Sequence, residues 1–352
     1  MAFPLWVPFE NEWATFFILL ASIFLFILAS NFIINKNLLS PDKIRRIIHL
    51  SVGTLIVGTP FIFTNNTLPN LLAIIFIILN ITTYKTNLFK GIHSQNRVTY
   101  GTIYFPISFV ILTTFFWDFP ELIIISLSIL AFADPLAAEI GESFKNPIEF
   151  IVWNDKKTIQ GTFTFFITSF IIIYISGKLF FDYSNLYFFL FTMIIAAGAT
   201  IAEVTSSKGS DNLSIPLVSI ILMICFFELI PPSNHSIIDM IIIEKIFSLI
   251  LIIGILFLSY KIDSLNINGL FGGIIMGIII FTLGSYSYVI PIAVFFILSS
   301  LLGKVLNHAS FYKQKESGRN IIQVYANGGI GLLICIYNYF HPDPINFLLF
   351  LS

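Results

Sequence analysis

Apolar runs long enough to cross a membrane recur along the whole chain, with short polar stretches between them. A helix needs about 20 mainly apolar residues to cross a hydrocarbon core of about 30 Å. The pattern therefore predicts an all-α, polytopic integral membrane protein with about twelve transmembrane helices. The predicted helices cover residues 13–34, 47–63, 69–84, 101–117, 121–140, 160–178, 186–204, 213–230, 239–259, 268–284, 287–304 and 321–340, and a partial run begins at Ile345.

Composition supports this class and argues against others. Hydrophobic residues make up 57% of the 352 residues and charged residues only 11%, whereas soluble domains are usually about 25% charged. The net charge is −1, so no nucleic-acid partner is indicated. Cys225 and Cys335 lie inside apolar runs and predict no disulfide framework. The first apolar run has no basic segment before it, which favours a retained helix over a signal peptide.

The basic residues are concentrated in one set of alternate loops, namely 36–46, 85–97, 145–157, 208, 261 and 304–319. The other loops hold only Lys178 and Lys245, both at helix ends. The positive-inside rule then predicts that the first set is cytoplasmic and that the N-terminus lies outside. The polar stretches described below would face the cytoplasm, at the inner membrane if the source is bacterial.

An acidic stretch follows the apolar run 122–132. Asp134 lies within an otherwise apolar span, where an ionisable side chain is costly and usually marks function. Mg²⁺ takes one or two carboxylates together with phosphate oxygens. We therefore predict that Asp134 and Glu139, with Asp211 from a later loop, are Mg²⁺ ligands. The alternative is a solvated helix end with ordinary acidic residues.

A basic stretch comes next and contains Lys145, Lys156, Lys157, Thr158 and Gly161. Lysine side chains, with the free backbone amides at the start of the following helix, suit a phosphate group. The alternative is that these lysines simply flank the membrane on its cytoplasmic side. The sequence contains no GxxxxGK[ST] motif, so it does not predict a P-loop enzyme.

A second acidic segment lies at the end of the predicted helix 186–204. Glu203 is inside the apolar run, and Asp211 and Asn212 open the next span. These residues predict a second group of acidic side chains that binds a metal or accepts the proton of an attacking hydroxyl. For Asp211 and Asn212 the alternative is a helix N-cap.

Two basic helix entrances are further candidates. Arg45 and His49 belong to the first, and Arg97 and Tyr100 to the second. We predict that they hold a phosphate group or a lipid headgroup. Membrane anchoring is the alternative, and it is the preferred interpretation for Arg46.

Motifs in a fixed order carry a family resemblance. D-x-x-A-x-x-x-G-x-x-x-K begins at Asp134, K-K-T-x-x-G begins at Lys156, and AEVTSSKGSDNLSIPL begins at Ala202. Over roughly residues 41–230 the chain resembles the CTP-dependent lipid kinases (dolichol kinase, phytol kinase and the yeast-type diacylglycerol kinase), which are related to phosphatidate cytidylyltransferases. Gln160 stands where that family commonly has Glu, so this position is assigned no role.

The resemblance implies Mg²⁺-dependent transfer of a phosphoryl group from CTP to the hydroxyl of a long-chain isoprenoid or other lipid alcohol in the bilayer. The implied catalytic residues are Asp134, Lys157, Glu203 and Asp211. The implied nucleotide contacts are Arg97, Gly141, Lys145, Lys156, Lys157, Thr158, Gly161 and Asn212, and the implied substrate or phosphate contacts are Arg45, His49 and Tyr100. Two alternatives stay open: CDP-lipid synthesis by a cytidylyltransferase, and a lipid transporter without catalysis.

The C-terminal third resembles a different family. The segment 266–305 and the later GRNIIQVYANGGI look like the beginning of the membrane family that includes plastid phytyl-phosphate kinases. In that family a second Asp-rich motif follows, so this region is expected to be incomplete or to assist without catalysis of its own. The predicted organisation is an N-terminal membrane helix over 1–40, a catalytic domain over 41–235 and this region over 236–352.

Overall fold

A computed structural model of the chain describes residues 3–36, 38–86, 99–152, 155–182, 186–227, 249–308 and 318–352. Arg97 and the first part of the predicted helix 239–259 lie outside these residues. The chain divides into two compact units, Met1–Met223 and Ile224–Ser352.

The first unit consists of α1 (Glu12–Asn35), α2 (Pro41–Val57), α3 (Thr59–Ile62), α4 (Thr67–Thr86), α5 (Gly101–Phe115), α6 (Pro120–Ser128), a π-helical segment (Ile129–Ala133), α7 (Asp134–Ser143), strands β1 (Glu149–Val152) and β2 (Asp155–Thr158), α8 (Ile159–Phe181), α9 (Leu186–Val204) and most of α10 (Asp211–Phe227). The second unit contains α11 (Leu249–Lys261), α12 (Ile267–His308), α13 (Ile321–Phe340) and α14 (Pro344–Leu351).

Six helical stretches of the described chain are long and apolar enough to cross a membrane: Glu12–Ile34, Pro120–Ser143, Ile159–Phe181, Leu186–Val204, Ile267–Ser300 and Ile321–Phe340. Shorter apolar helices lie at Thr67–Thr83, Gly101–Phe115, Asp211–Phe227 and Leu249–Lys261. All of them overlap predicted helices, so the helical, membrane-protein class agrees with the sequence prediction. The total of about twelve spans and the outside N-terminus stay predictions.

Two boundaries differ from the sequence prediction in an informative way. The predicted helices 268–284 and 287–304 are joined in α12, where Ser285 interrupts the helix with φ 60° and ψ −164°. Helix α2 begins at Pro41, not at residue 47, because proline is well suited to the first helical position. The predicted basic entrance with Arg45 and His49 is therefore already part of a helix.

A two-stranded hairpin, which the sequence analysis did not predict, separates α7 from α8. β1 and β2 pair antiparallel, with Phe150 opposite Lys157 and Ile151 opposite Lys156. Successive side chains of a strand point to opposite faces. The two adjacent lysines therefore point in opposite directions, which a treatment of them as one basic pair overlooks.

The centre of the first unit is the continuous stretch formed by α6, the π-helical segment and α7. Every residue of α6 from Leu122 to Ser128 is buried, because this helix packs against α2, α5 and α8. A helix that is apolar on all sides is typical of a central position. Consequently, the charged residues that follow it lie at the end of the most enclosed helix of the unit.

The second unit is built around α12, which packs against α13 and α14. Its core contains Leu265, Met276, Tyr288, Val324 and Cys335.

Candidate active site

Asp134 lies where the π-helical segment meets α7, inside the apolar stretch Pro120–Ser143. A π-helical segment within an α-helix is frequently found at a functional site. The Asp134 side chain is half-buried and lines a cavity. Among the described residues, its carboxylate accepts no hydrogen bond and forms no ion pair. A carboxylate in this position is costly, which makes Asp134 a candidate functional residue.

His49 supports the segment that carries this carboxylate. Its Nε2 donates a hydrogen bond to the carbonyl oxygen of Leu130 at 3.0 Å. In a π-helical register that carbonyl would pair with residue 135, but Pro135 has no N–H. Gly53 permits the close approach of α2, because a Cβ there would lie 2.6 Å from Ala131 Cβ. His49 lines the cavity, but its hydrogen bond gives it a structural role that the sequence analysis missed.

Lys157 and Glu203 form a largely buried ion pair that joins β2 to the end of α9. Lys157 Nζ donates to the Glu203 carboxylate and, at 3.1 Å, to the Glu203 backbone oxygen. Burial by itself lowers the pKa of Lys157, but the negative charges of Glu203 and Asp211 more than offset that effect and the pKa is raised above its ordinary value. Lys157 is therefore a fixed positive charge at neutral pH.

Asp211 faces the same cavity from the start of α10. Its Oδ1 accepts hydrogen bonds from the backbone N–H and the side-chain Nδ2 of Asn212, both at 2.9 Å. Asp134 interacts electrostatically with Asp211, and with the positive charges of Lys157 and Arg45. Two carboxylates and two cations from four separate elements thus line one cavity.

The loop 205–210 is held against the start of α5. The backbone N–H of Tyr100 donates to the carbonyl of Lys208 at 2.8 Å. Gly209 has φ 87°, and a Cβ there would lie 2.4 Å from the backbone nitrogen of Gly101. Gly209 is therefore needed for this contact, which places Asp211 beside the start of α5.

The predicted nucleotide glycines have a steric explanation. A Cβ on Gly141 would lie 2.6 Å from Thr158 Oγ1, and a Cβ on Gly161 would lie 2.9 Å from the carbonyl oxygen of Ala137. Thr158 Oγ1 accepts a hydrogen bond from the Gly161 N–H at 3.1 Å and caps α8. The two glycines let α7 and α8 pack closely at the cavity wall, and a contact with nucleotide stays a prediction.

Glu139 points elsewhere than the predicted metal site. Its carboxylate accepts a hydrogen bond from Arg46 at 2.6 Å, and Arg46 also pairs with Glu142. Arg46 is largely buried, with 11% of its side chain exposed, and it ties α2 to α7. The sequence favours an anchoring role for Arg46, but its burial and its pairs with Glu139 and Glu142 show that it links α2 to α7.

Three further predicted residues lie at the margin of the cavity or outside its lining. Lys145 is exposed and does not line the cavity. Tyr100 is half-buried and does not line it either. Lys156 lies at its edge, 71% exposed, with Nζ 3.1 Å from Glu149 on β1.

The cavity has a volume of about 400 Å³ and two chemically distinct parts. We call the part lined by Arg45, Asp134, Lys157, Glu203 and Asp211 the polar end. We call the part between α1, α2, α4 and α5 the apolar limb, which extends from Ile27, Ile48 and Phe105 to Ile23, Ile56, Leu72 and Phe109. Ligand sites commonly combine an apolar volume of this size with a few convergent polar groups.

The residues present fit a Mg²⁺ ion that is shared with a phosphorylated ligand. Within the described part of the chain, no group of three or more His, Cys, Asp and Glu side chains forms a metal site of its own. Mg²⁺ needs only one or two protein carboxylates when phosphate oxygens supply the other ligands. No described residue forms a hydrogen bond or an ion pair with the Asp134 carboxylate, and both hydrogen bonds to the Asp211 carboxylate involve Oδ1.

The comparison with known families first defines the class of protein. Residues 250–351 match a family described as "Integral membrane protein DUF92". The match and the apolar helices agree that the chain is an integral membrane protein. It falls on the C-terminal third, for which the sequence predicted a membrane family of its own.

The chain is also similar to a named protein over much of its length. The chain is 24% identical over 230 residues to a protein named "Phytol kinase" from Synechocystis sp. (strain PCC 6803). The alignment covers 63% of this chain and 92% of that protein. No solved structure matches the chain. Together the two matches support a relationship to the lipid-alcohol kinases, which confirms the resemblance found in the sequence motifs.

Proposed function

We propose that this protein transfers the γ-phosphoryl group of CTP to the hydroxyl group of a phytol- or polyprenol-type lipid alcohol at the cytoplasmic face of the membrane. The observation that carries the proposal is a single cavity with two ends. Its polar end unites Asp134, Asp211 and Lys157, and its apolar limb lies among membrane helices. A water-soluble phosphate donor could bind at the polar end, while the tail of a membrane-soluble acceptor occupies the apolar limb.

Asp134 is the residue that would hold Mg²⁺ on the nucleotide phosphates, and Asp211 lines the same cavity. When bound, the ion neutralises charge on the phosphates during transfer. The protein contributes the position of the two carboxylates. Pro135 and the π-helical segment fix Asp134, and Asn212 fixes Asp211 through two hydrogen bonds of 2.9 Å.

Lys157 would stabilise negative charge on the transferred phosphoryl group. In phosphoryl transfer the protein acts mainly by positioning groups and supplying charge. The raised pKa keeps Lys157 protonated, and the Glu203 carboxylate holds its Nζ in place. Lys157 lies in β2, next to Thr158, whose side chain caps α8 by accepting a hydrogen bond from the Gly161 N–H. The start of a helix carries partial positive charge, which favours the same negative charge on the ligand.

The acceptor hydroxyl must lose a proton as the new bond forms. Its oxygen bonds to the γ-phosphorus while the bond between that phosphorus and the β–γ bridging oxygen breaks, and CDP leaves. Glu203 is paired with Lys157 and positions it, which leaves Asp211 as the proton acceptor. In that role Asp211 does not hold the ion, and Asp134 would be the one protein carboxylate on a Mg²⁺ whose other ligands are phosphate oxygens and water. The preference for CTP rests on the family resemblance, and the cytoplasmic orientation rests on the distribution of basic loops.

A transfer assay on the purified protein tests the proposal. γ-Labelled CTP or ATP would be supplied with Mg²⁺ and a panel of phytol, geranylgeraniol, a long polyprenol and diacylglycerol. Label moving from CTP to a lipid supports the proposal and identifies the acceptor. Transfer of the α-labelled nucleotide with release of pyrophosphate would instead establish a cytidylyltransferase, and a folded protein that transfers neither label would overturn the proposal.

The variant Asp134→Asn provides the matching site test. It preserves size but removes the charge that would bind the metal, so transfer should fall by at least about 100-fold. Asp118→Asn is the control, since Asp118 precedes α6 at the opposite end of the same helical stretch and does not line the cavity. Full activity in Asp134→Asn would remove Asp134 from the mechanism.

A further inference from the structure

We infer that the apolar limb binds the tail of the lipid alcohol and limits the length of tail that the protein accepts. The substrate class is then an alcohol whose tail spans about one leaflet, not a long polyprenol. This inference rests on the proposed function, because the hydroxyl at the mouth of the limb is the proposed acceptor.

The limb is built from residues that repeat every helical turn on four helices. α2 contributes Ile48, Val52 and Ile56, and α5 contributes Phe105 and Phe109. Residues four apart lie above one another on the same face of a helix. These ladders, with the corresponding ones on α1 and α4, line one continuous apolar channel instead of isolated gaps.

The channel starts next to the polar end. Asn80 on α4 donates from Nδ2 to the carbonyl oxygen of Thr102 at 2.7 Å, and both residues line the cavity. Beyond this pair, further from Asp134, the lining is apolar. A ligand that occupied both parts would therefore have one polar head and one hydrocarbon tail.

The far end of the limb is enclosed by protein. Ile23, Ile56, Leu72 and Phe109 have between 1% and 6% of their surface exposed. One turn beyond Phe109, Thr113 hydrogen-bonds to Asn70 on α4, and its carbonyl accepts a hydrogen bond from Asn66 at 2.8 Å. These bonds hold α4 against α5, so the channel stops inside the protein.

The depth of the limb sets the length limit. The whole cavity, from Arg45 at the polar end to Ile56, follows α2 for roughly 16 Å, and the limb alone follows α4 from Asn80 to Leu72 for roughly 12 Å, at about 1.5 Å per residue. The hydrocarbon core of a bilayer is about 30 Å thick. The limb therefore accepts a tail that occupies about half of the core.

Because the tail enters the limb from the bilayer and not from water, affinity should depend on tail length in a particular way. A tail that moves from the bilayer into the limb exchanges one hydrocarbon environment for another, so its burial supplies little hydrophobic driving force. Affinity should change little with tail length up to the limit. Beyond the limit, the closed end excludes the excess tail, and turnover should fall steeply.

Ala73 allows this limit to be moved. It is a small, 4% exposed residue near the far end of the limb on α4, whereas the adjacent Ile74 is 45% exposed on another face of that helix. Ala73→Phe would fill the far end, so a tail that reaches this end should lose about tenfold or more in kcat/KM. Ile74→Phe introduces the same side chain outside the limb and is the matched control.

The experiment measures kcat/KM for farnesol, geranylgeraniol, phytol and a long polyprenol at equal mole fraction in vesicles. For the unaltered protein we expect turnover of the first three alcohols, whose tails fit the limb extended or with a bend, and a loss of at least about tenfold for the polyprenol. Ala73→Phe should lower the value for phytol and geranylgeraniol and leave that for farnesol unchanged. Equal turnover of the polyprenol, or equal profiles for Ala73→Phe and Ile74→Phe, would overturn the inference.

A binding measurement separates this inference from the proposed function. An alcohol with a photoreactive group at the end of a tail of phytol length would be cross-linked in vesicles without nucleotide. Labelling of the peptides that contain Ile56, Leu72 and Phe109 supports the limb even if no phosphoryl transfer is found. Labelling confined to exposed residues outside the cavity, such as Ile74, would overturn the limb while leaving the kinase proposal intact.

Discussion

Lys157 and its neighbour Lys156 show how much chemistry depends on the position of a single residue. They are adjacent in sequence, but the strand directs Lys157 to buried Glu203 and Lys156 to exposed Glu149. A buried ion pair with one partner removed leaves a charge without compensation. An exposed ion pair contributes little, usually less than about 1 kcal/mol. The two lysines should therefore respond differently to the same substitution.

We predict that Glu203→Gln destabilises the folded protein by about 1–3 kcal/mol, because Lys157 loses its ion-pair partner but keeps the hydrogen bond to the backbone oxygen of residue 203 and the nearby charge of Asp211. The double variant Lys157→Met with Glu203→Gln should regain most of that stability but not transfer activity, since the positive charge is gone. Thermal unfolding in detergent and the transfer assay measure the two effects.

Lys156, the exposed neighbour of Lys157, provides the control for the variants of the Lys157–Glu203 pair. Lys156→Met, at a side chain that is 71% exposed, should change the free energy of unfolding by no more than about 0.5 kcal/mol. Equal losses of stability and activity in Lys156→Met and Lys157→Met would contradict the assignment of Lys157 as the buried lysine that stabilises the phosphoryl charge.

The central helical stretch explains how Asp134 is positioned. Pro135 prevents a regular hydrogen-bond pattern, the π-helical segment accommodates the break, and His49 on α2 donates to the Leu130 carbonyl. Such an arrangement couples the orientation of a catalytic candidate to a residue on another helix. A misplacement of about 1 Å in an active site can reduce the rate by about 100-fold.

We predict that His49→Ala lowers kcat by roughly 10- to 100-fold and changes the KM for nucleotide little, because the Asp134 segment loses its support. His49→Gln should keep much of the activity, since the glutamine amide can donate the same hydrogen bond. Steady-state kinetics with nucleotide as the varied substrate measure both variants.

Two outcomes define the role of His49. Leu50→Ala, which alters an exposed residue of the same helix, should behave like the unaltered protein. If His49→Gln is as inactive as His49→Ala, the imidazole itself acts on the substrate and the positioning role is wrong.

At the scale of the whole molecule, the proposed function depends on how the chain is oriented across the membrane. Lys145 follows α7, and Asp118 precedes α6 at the other end of the same membrane-length stretch. The proposed function requires the end with Lys145 and the polar end of the cavity to face the cytoplasm, where nucleotides are found.

We predict that Lys145→Cys reacts with an impermeant thiol reagent only from the cytoplasmic side, and Asp118→Cys only from the outside. The native Cys225 and Cys335 are buried and should give little background. Inside-out and right-side-out vesicles distinguish the two sides. The reverse pattern would place the N-terminus inside, and labelling of both residues from one side would show that the stretch does not cross the membrane.

The similar proteins provide information about the class of the whole chain but not about the roles of individual residues. The match to residues 250–351 and the 24% identity to a protein named phytol kinase support the membrane class and the lipid-kinase relationship. The roles of Asp134, Lys157 and Asp211, the use of Mg²⁺ and the choice of CTP stay proposals, which the variants above address.

The sequence by itself determined the helices, and it singled out most of the polar residues that line the cavity. Apolar runs specify helices because in lipid every backbone group must be paired within the chain. Predicted helices such as 186–204 and 321–340 have the same bounds in the structure. Asp134 was recognisable because an acid inside an apolar span is costly.

Only the tertiary structure decided which of these residues meet. Glu139 pairs with Arg46, His49 supports Leu130, and Lys157 rather than Lys156 is buried. The apolar limb also depends on four helices coming together. Hydrophobic periodicity is a local property of each segment, whereas an ion pair or a channel depends on which segments become neighbours and on the face that each one presents.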